Sequence, residues 1–432
     1  MTLPAKNSNP QKGMRDLTPE KVELRNFVSN TILGVYKKYG FSQIETPCVE
    51  DINLLSDGEG GENEKMLFKI LKRGEKLDLS GTPTENSLVD MGLRYDLTVP
   101  LCRFYANNRS KLPRNFKVIQ TGSVWRAENN QKGRYRQFTQ CDIDIIGIQN
   151  PVAEIELILA TSEALIKLGF KNFKVRINDR RILEALAAFC GFEKDSYGKV
   201  FIIFDKLDKI GLDGVEKELK ESGFSQSSTG KFIDIVRQAT EKNITVESVR
   251  QLLPDIGEKV LADLDFVISA IEKRANSEYS IGLDISLVRG MGYYTGQIFE
   301  IGVEGYGSSV AGGGRYDKMI GKFLERDENV PACGFSIGFE RVVSILEEQG
   351  FKIPRSEKKI ALLYPAEIVF FDVLLSKAQE LRGEGNIVSI EAKSKNLRQQ
   401  LDKLAEQGFS SFAIFEEGRP FEIKPLNEEA GR

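Results

Sequence analysis

Between residues 125 and 147 the chain reads WRAENNQKGRYRQFTQCDIDIIG, and three arginines, Arg126, Arg134 and Arg136, stand there among Glu128, Phe138, Gln140, Asp142 and Asp144. Side chains of like parity share one face of a strand, and all of these residues are even-numbered. If the two halves pair as an antiparallel hairpin around the NNQKG turn, one face carries cations at one end, carboxylates at the other and an aromatic ring between. Such a face suits a phosphate-rich ligand that also bears an amine or a ring. An exposed hairpin of mixed charge would give the same pattern.

Three shorter segments carry related chemistry. In LVRGMGYYTGQIFE, residues 287–300, Arg289 lies among glycines and is followed by Tyr293 and Tyr294. Glycine beside a cation permits close approach of the backbone to a ligand, although a turn with a buried tyrosine pair would read alike. AGGGRYDKMIG, residues 311–321, contains three successive glycines before Arg315 and Tyr316. They could cradle an anion or form a flexible hairpin loop, and they match neither Walker A nor GxGxxG. GFSIGFERV, residues 334–342, reads as a strand entering a helix, with Arg341 near the helix start and within reach of phosphate.

The elements that must position these groups follow from periodicity. Residues 17–39 form an amphipathic helix capped by Thr18, with Pro19 at its first position and Gly40 beyond its end. FSQIETPCVE reads as a strand, residues 116–128 and 134–147 as paired strands, and 151–168 as a long helix. Residues 195–275 turn into short charged helical stretches. Strands resume at YSIGLDIS and YYTGQIFEIGV, and a helix is expected at 338–349. After the linker FKIPRSEKK, the last piece alternates strand and helix, which is the pattern of an α/β unit with a mainly parallel sheet. The expected division is 1–194 and 276–350 as two parts of an α+β core, 195–275 as a helical insertion and 358–432 as the α/β unit.

The 432 residues, 41% apolar and 28% charged, suit a soluble globular chain of two to four domains. No apolar run approaches the ~18 residues that span a bilayer, and the polar N-terminus lacks a signal-peptide core, so the cytoplasm is the expected location. Five widely spaced cysteines without a CxxC argue against a disulfide framework or zinc site and are expected to be small buried hydrophobes. The net charge of −3 leaves nucleic-acid binding open, because a local basic surface suffices. Histidine is absent altogether, which excludes Ser–His–Asp and Cys–His catalysis and HExxH zinc sites. Chemistry must run on carboxylates, arginines, amides and phenols, with any metal held by oxygen.

Taken together, these segments resemble the histidyl-tRNA synthetase family of class II aminoacyl-tRNA synthetases. GMRDLTP at 13–19 resembles its N-terminal signature, and FSQIETPCVE with Pro47 resembles motif 1, a dimer-forming segment. GGENEKMLFKI and LRYDLTVPL are also similar to family segments. WRAENNQKGRYRQF resembles motif 2, LVRGMGYYTGQIFE the histidine-specific motif, and GGGRYD with GFSIGFERV the motif 3 region. The resemblance implies a class II fold with an antiparallel catalytic sheet, a helical insertion and a C-terminal α/β anticodon-binding domain. It implies ATP with Mg²⁺, histidine and histidine tRNA as ligands, and a homodimer.

Carried onto this sequence, the resemblance implies Arg126 and Arg289 at the α-phosphate, Glu128 at adenine, Arg134 and Arg341 at the outer phosphates and adenine edge, and Phe138 stacked on the base. It implies Asp96, Thr98 and Gln140 at the amino group and carboxylate of histidine, Asp144 and Tyr294 at the imidazole, and Tyr293 and Tyr316 lining the pocket. No residue of the chain is implied as a metal ligand.

The chain departs from the family pattern in three places. Asn129–Asn130 stand where Arg-Pro is usual, Gly292 stands where an acid is common, and the C-terminal unit is short. Two alternatives follow: a regulatory paralogue like the synthetase-like subunit of ATP phosphoribosyltransferase, or a paralogue that adenylates histidine for another acceptor. The histidine-free composition itself fits either drift or synthesis that continues during histidine starvation.

Overall fold

The computed structural model describes residues 9–56, 66–80, 82–128, 135–241, 244–289, 292–306, 309–324, 328–354, 357–365, 371–416, 419 and 421–426, with the backbone alone at 86 and 241. The chain forms two units, one of Met1–Leu17 and Arg25–Gln349, the other of Thr18–Leu24 and Gly350–Arg432. The helical stretch 195–275 falls within the first.

The first helix, α1 (Pro19–Lys38), begins where sequence places it: the Val22 N–H donates to the Thr18 carbonyl at 3.0 Å. It stops at Gly40, whose φ of +82° suits a residue without Cβ. Val28, Ile32, Val35 and Tyr36 form its buried stripe, whereas Val22 is exposed.

FSQIETPCVE is not one strand. It breaks into β1 (Ser42–Gln43) and β2 (Val49–Asp51), because Pro47 has no N–H to give a ladder. The freed carbonyls of Thr46 and Pro47 instead accept from Arg94 Nη1. β2 joins β3 (Phe68–Leu71) and β4 (Val89–Leu93) in a small sheet of order β2-β4-β3. Between them lie the short helices α2 (Ile52–Ser56) and α3 (Glu85–Leu88), and α4 (Thr98–Asn108) follows β4.

The large sheet runs β1-β5-β6-β11-β10-β9-β7-β8. Its further strands are β5 (Phe116–Trp125), β6 (Gln137–Ile146), β7 (Phe173–Asp179), β8 (Tyr279–Leu283), β9 (Gln297–Gly302), β10 (Ser309–Arg315) and β11 (Ala332–Ile337). The two outer pairs, β1–β5 and β7–β8, are parallel, and the rest are antiparallel. The glycine run 312–314 is therefore no flexible loop. It lies inside β10, buried, because neighbouring groups fill the space a Cβ would need.

The helix α5 (Val152–Lys167) buries Leu157, Ile158, Ala160, Ala164 and Leu165. Residues 180–272 supply α6 (Arg180–Cys190), α7 (Tyr197–Phe204), α8 (Leu207–Glu221), α9 (Gln226–Glu241), α10 (Val246–Leu252) and α11 (Glu258–Glu272). Asp179 caps α6 by accepting from the Arg181 N–H at 2.9 Å. α8 is kinked at Gly211, whose φ of +68° is non-helical. α12 (Met319–Phe323) and α13 (Phe339–Glu348) complete this unit.

In the second unit β12 (Lys359–Tyr364), β13 (Ile387–Ala392), β14 (Ser411–Ile414) and β15 (Lys424–Pro425) form a sheet of order β13-β12-β14-β15, parallel except for β15. β12 alternates: Ile360 and Leu362 pack with Leu374, Ala378 and Leu381 of α14 (Phe371–Gly383). Ala361 and Leu363 pack with Leu401 and Leu404 of α15 (Leu397–Glu406). Burial on both faces explains the apolar run IALLY. Cys102, Cys141, Cys190 and Cys333 are buried as expected, but Cys48 is exposed. Among the described residues no helix is long and apolar enough to cross a membrane.

Candidate active site

Strand register assembles the site. Directly opposed residues form a row across the sheet: Gln120 on β5, Asp142 on β6, Ser336 on β11, Gly312 on β10, Glu300 on β9 and Arg176 on β7. Two residues along, on the same face, the next row reads Val118, Asp144, Gly334, Gly314, Ile298 and Asn178. Glycines in the middle of these rows make a floor without side chains. A cleft of about 550 Å³ opens over it.

One part of the cleft is acidic and phenolic. Asp96, Asp142 and Asp144 are 3–5% exposed. Burial pushes the Asp144 carboxyl up to about 7. The Tyr316 hydroxyl, donating to Oδ1 at 2.6 Å, opposes that rise, and nearby Asp96 adds to it. Asp142 is raised well above the usual carboxylate range, first by burial and then by Asp144. Asp96 is raised by burial, against the α4 N–H of Val99, which donates to its Oδ1 at 3.0 Å. Tyr293 packs against Tyr294 and edge-on to Tyr316, with ring centroids 4.7 and 6.0 Å apart. Three acceptors, Asp96 Oδ2, Asp142 Oδ1 and Gln140 Oε1, are buried with no hydrogen-bond partner among the described residues. Such atoms are costly unless a ligand satisfies them.

Other cleft residues are cationic. Arg126 donates from Nε to the Tyr95 carbonyl at 3.0 Å, lies 5.2 Å over the Phe138 ring and is 3.9 Å from Glu128. Arg289 donates to Glu300 Oε2 at 2.9 Å and occupies the space a Gly312 side chain would take. Arg341, in the first turn of α13, donates to the Ser309 carbonyl at 2.5 Å. Asp205 and Lys209 reach the cleft from the α7–α8 region.

Every site residue expected from sequence lines this one cleft except Arg134, which with Asn129–Asn130 lies outside the described residues. The parity argument placed Arg126, Glu128, Phe138, Gln140, Asp142 and Asp144 together, and the cleft gathers them all, but Arg136 does not line it. Arg136 Nε instead donates to the Glu128 carbonyl. Within the cleft the Tyr316 hydroxyl is bonded to Asp144.

Sequence reasoning missed Glu340. It is 5% exposed and accepts from Arg15, from Arg25 and from the Thr139 N–H. Arg15 also stacks on Tyr135, 3.7 Å from the ring centroid, so one carboxylate ties the GMRD segment, β6 and the start of α13 together. The adjacent Arg341 was the available signal. Glu300 was equally overlooked, although it ends the same segment that holds Arg289.

Residues 13–342 match the family described as histidyl-tRNA synthetase. A histidine–tRNA ligase from Leifsonia xyli subsp. xyli (strain CTCB07) is 42% identical over 431 residues, covering 97% of this chain and 98% of that protein. The crystal structure of histidyl-tRNA synthetase from Nostoc sp. PCC 7120 superposes with a TM-score of 0.76 at 26% identity, over 98% of this chain and 95% of that one. An ATP phosphoribosyltransferase regulatory subunit/histidyl-tRNA synthetase from Bacillus halodurans C gives 0.72 at 21% identity, over 95% and 99%, a likeness of fold alone.

Proposed function

The chain belongs to the histidyl-tRNA synthetase family, and from that premise we propose that it activates histidine with ATP to histidyl-adenylate and transfers the histidyl group to tRNA. The observation that carries this reading is the set of three unpartnered acceptors, Asp96 Oδ2, Asp142 Oδ1 and Gln140 Oε1. An ammonium has three donors and no acceptor, so the α-amino group of an amino acid is the kind of ligand that suits these acceptors. Thr98 completes this wall.

Side-chain selection falls to Asp144 and the phenols. A neutral imidazole offers one donor and one acceptor. The ionised Asp144, steadied by Tyr316, accepts the N–H, and Tyr294 or Tyr293 supplies the complementary donor. A ligand lacking that pattern leaves buried polar groups unpaired, which discriminates strongly.

The first step needs no general base. The carboxylate of histidine is already ionised at neutral pH, attacks the α-phosphorus and displaces pyrophosphate. The protein must align the reactants and hold developing charge on the phosphoryl oxygens. Arg126 and Arg289 take that role, since guanidinium is always charged and binds phosphate through paired donors. Phe138 stacks on adenine, Glu128 meets its edge, and Arg341 with Arg134 holds the outer phosphates. Mg²⁺, which commonly binds nucleotide through few protein ligands, would arrive on the phosphates of ATP and neutralise charge on the departing pyrophosphate.

In this reading 1–194 and 276–350 form the catalytic core, 195–275 is an insertion and 358–432 faces the anticodon. The enzyme works as a cytoplasmic homodimer through the motif 1 segment. Sedimentation at micromolar concentration should give twice the chain mass, and a monomer alone would reject that state.

The deciding experiment is ATP–pyrophosphate exchange with each of the twenty amino acids, with Arg289→Ala as control. Exchange with histidine only, lost in the variant, is expected. No exchange with any amino acid would favour the regulatory reading. Exchange without charging of histidine tRNA would point to another acceptor.

A further inference from the structure

Arg289 has two carboxylates to choose between, and their positions differ in kind. Glu300 rises from the sheet floor on β9, directly opposite Gly312, and its Oε2 accepts from Arg289 at 2.9 Å. Asp205 stands at the exposed rim, where it feels the charges of Arg289 and Lys209. Glu300 holds the guanidinium over the cleft floor, in the space left by Gly312.

Glu300 is itself fixed. Its other oxygen, Oε1, faces Arg176 Nη1 at 3.4 Å, and Arg176 lies opposite it on β7. Arg176 in turn donates from Nε to Asp284 Oδ2 at 2.7 Å, and Asp284 is anchored by the Ser286 N–H and hydroxyl. Asp208, in the first turn of α8, stands 3.5 Å from the same guanidinium. A chain of alternating charge thus runs from the helical segment through Arg176 and Glu300 to Arg289. The absence of a side chain at Gly312 leaves the arginine its seat.

We propose that Glu300 is a positioning residue for adenylate formation: it selects, through its bond to Arg289 over Gly312, the orientation in which that arginine meets the α-phosphate. The proposal rests on the reading of the cleft given above. Acting through Arg289, Glu300 should on its loss spare ground-state binding and impair the chemical step.

The test is histidine-dependent ATP–pyrophosphate exchange by the full chain. Glu300→Gln is expected to lower kcat about 10–100-fold, the range for losing a charged hydrogen bond, while KM for ATP and histidine change less than about threefold. In an Arg289→Ala background Glu300→Gln should cost nothing more, because both act through one guanidinium. Glu300→Asp keeps the negative charge but draws the carboxylate back toward β9 and away from Arg289. It gives the same readout if the glutamine variant fails to fold. A kcat within about threefold of the parent in a folded variant, a rise in KM alone, or a full additional loss on top of Arg289→Ala would overturn the proposal. Failure of the unmutated chain to exchange with histidine would instead sink the activity on which it rests.

Discussion

Acidification should weaken histidine use through Asp144, and the size of the effect can be worked out. The Asp144 carboxyl is pushed up to about 7, chiefly by burial. At pH 6 only about a tenth of it is then ionised. Free imidazole, with a pKa near 6.5, is about one quarter neutral at that pH. If the productive complex pairs an ionised Asp144 with a neutral imidazole, kcat/KM for histidine at pH 6 falls to about one fortieth of its alkaline plateau. The limb should steepen toward a slope of two below pH 6.

Asp144→Asn removes one of those protonations. The variant should lose about 10–100-fold at the plateau, as for a charged hydrogen bond. Its remaining limb should have unit slope and the substrate's own pKa. Steady-state exchange from pH 5.5 to 8.5 checks this, and the chain carries no histidine to confuse the titration. A flat profile in the parent, or an unchanged two-proton limb in Asp144→Asn, refutes the reasoning.

The same group bears on stability with a definite sign. The folded carboxyl keeps its proton up to about 7, and an unfolded one releases it near 3.9. The folded state therefore binds the extra proton between those values. The contribution of Asp144 is most favourable below about 4 and is lost as pH rises through about 7.

Three further outcomes are expected. Gly312→Ala sets a Cβ 2.6 Å from Arg289 Nη2 and nearer still to Nη1. The displaced arginine should cost about 100-fold in kcat with about 1–3 kcal/mol of stability, and exchange within threefold of the parent would contradict this. Glu154 and Arg315 form a buried pair with two 2.7 Å bonds, so Glu154→Gln should remove about 3–5 kcal/mol in urea unfolding; an unmoved midpoint would show the pair to be idle. If the histidine-free composition serves synthesis under starvation, output of this chain in histidine-starved cells should exceed that of a version given added histidine codons, whereas equal loss in both would leave drift.

Where the sequence was legible, local rules set the answer. The parity of Phe138, Gln140, Asp142 and Asp144 held because they lie on β6 and a strand has period two whatever it pairs with, whereas Arg136 precedes the strand and does not line the cleft. Thr18, Pro19 and Gly40 marked α1 because capping is decided within a few residues. The strand–helix alternation after the linker marked the last unit as α/β. What was hidden depended on partners distant in the chain. The glycines 312–314 look like a loop until Arg289, Gly334 and Tyr294 are placed around them. The bond from Tyr316 to Asp144 joins groups 172 residues apart in sequence. Glu340 meets Arg15 and Arg25 more than 300 residues away in sequence, and no periodicity reports such a meeting. Nor could composition show that the DKLDK stretch brings Asp205 and Lys209 back to the cleft.

The floor of the cleft also has a consequence at the level of the gene. A glycine codon altered at its first or second base encodes alanine, serine, cysteine, valine, aspartate, glutamate, arginine or tryptophan, or a stop, and every one of these residues carries a Cβ. At position 312 that atom meets the Arg289 guanidinium, at 313 the Gly334 carbonyl, at 314 the Tyr294 ring and Gln297 carbonyl, and at 334 the Asp144 carboxylate. On this geometry the four codons should tolerate change at their third base and at no other. A library of single-base variants screened for growth should lose nearly all missense changes there while keeping the silent ones, so the outline of a ligand pocket would be readable from nucleotide tolerance alone.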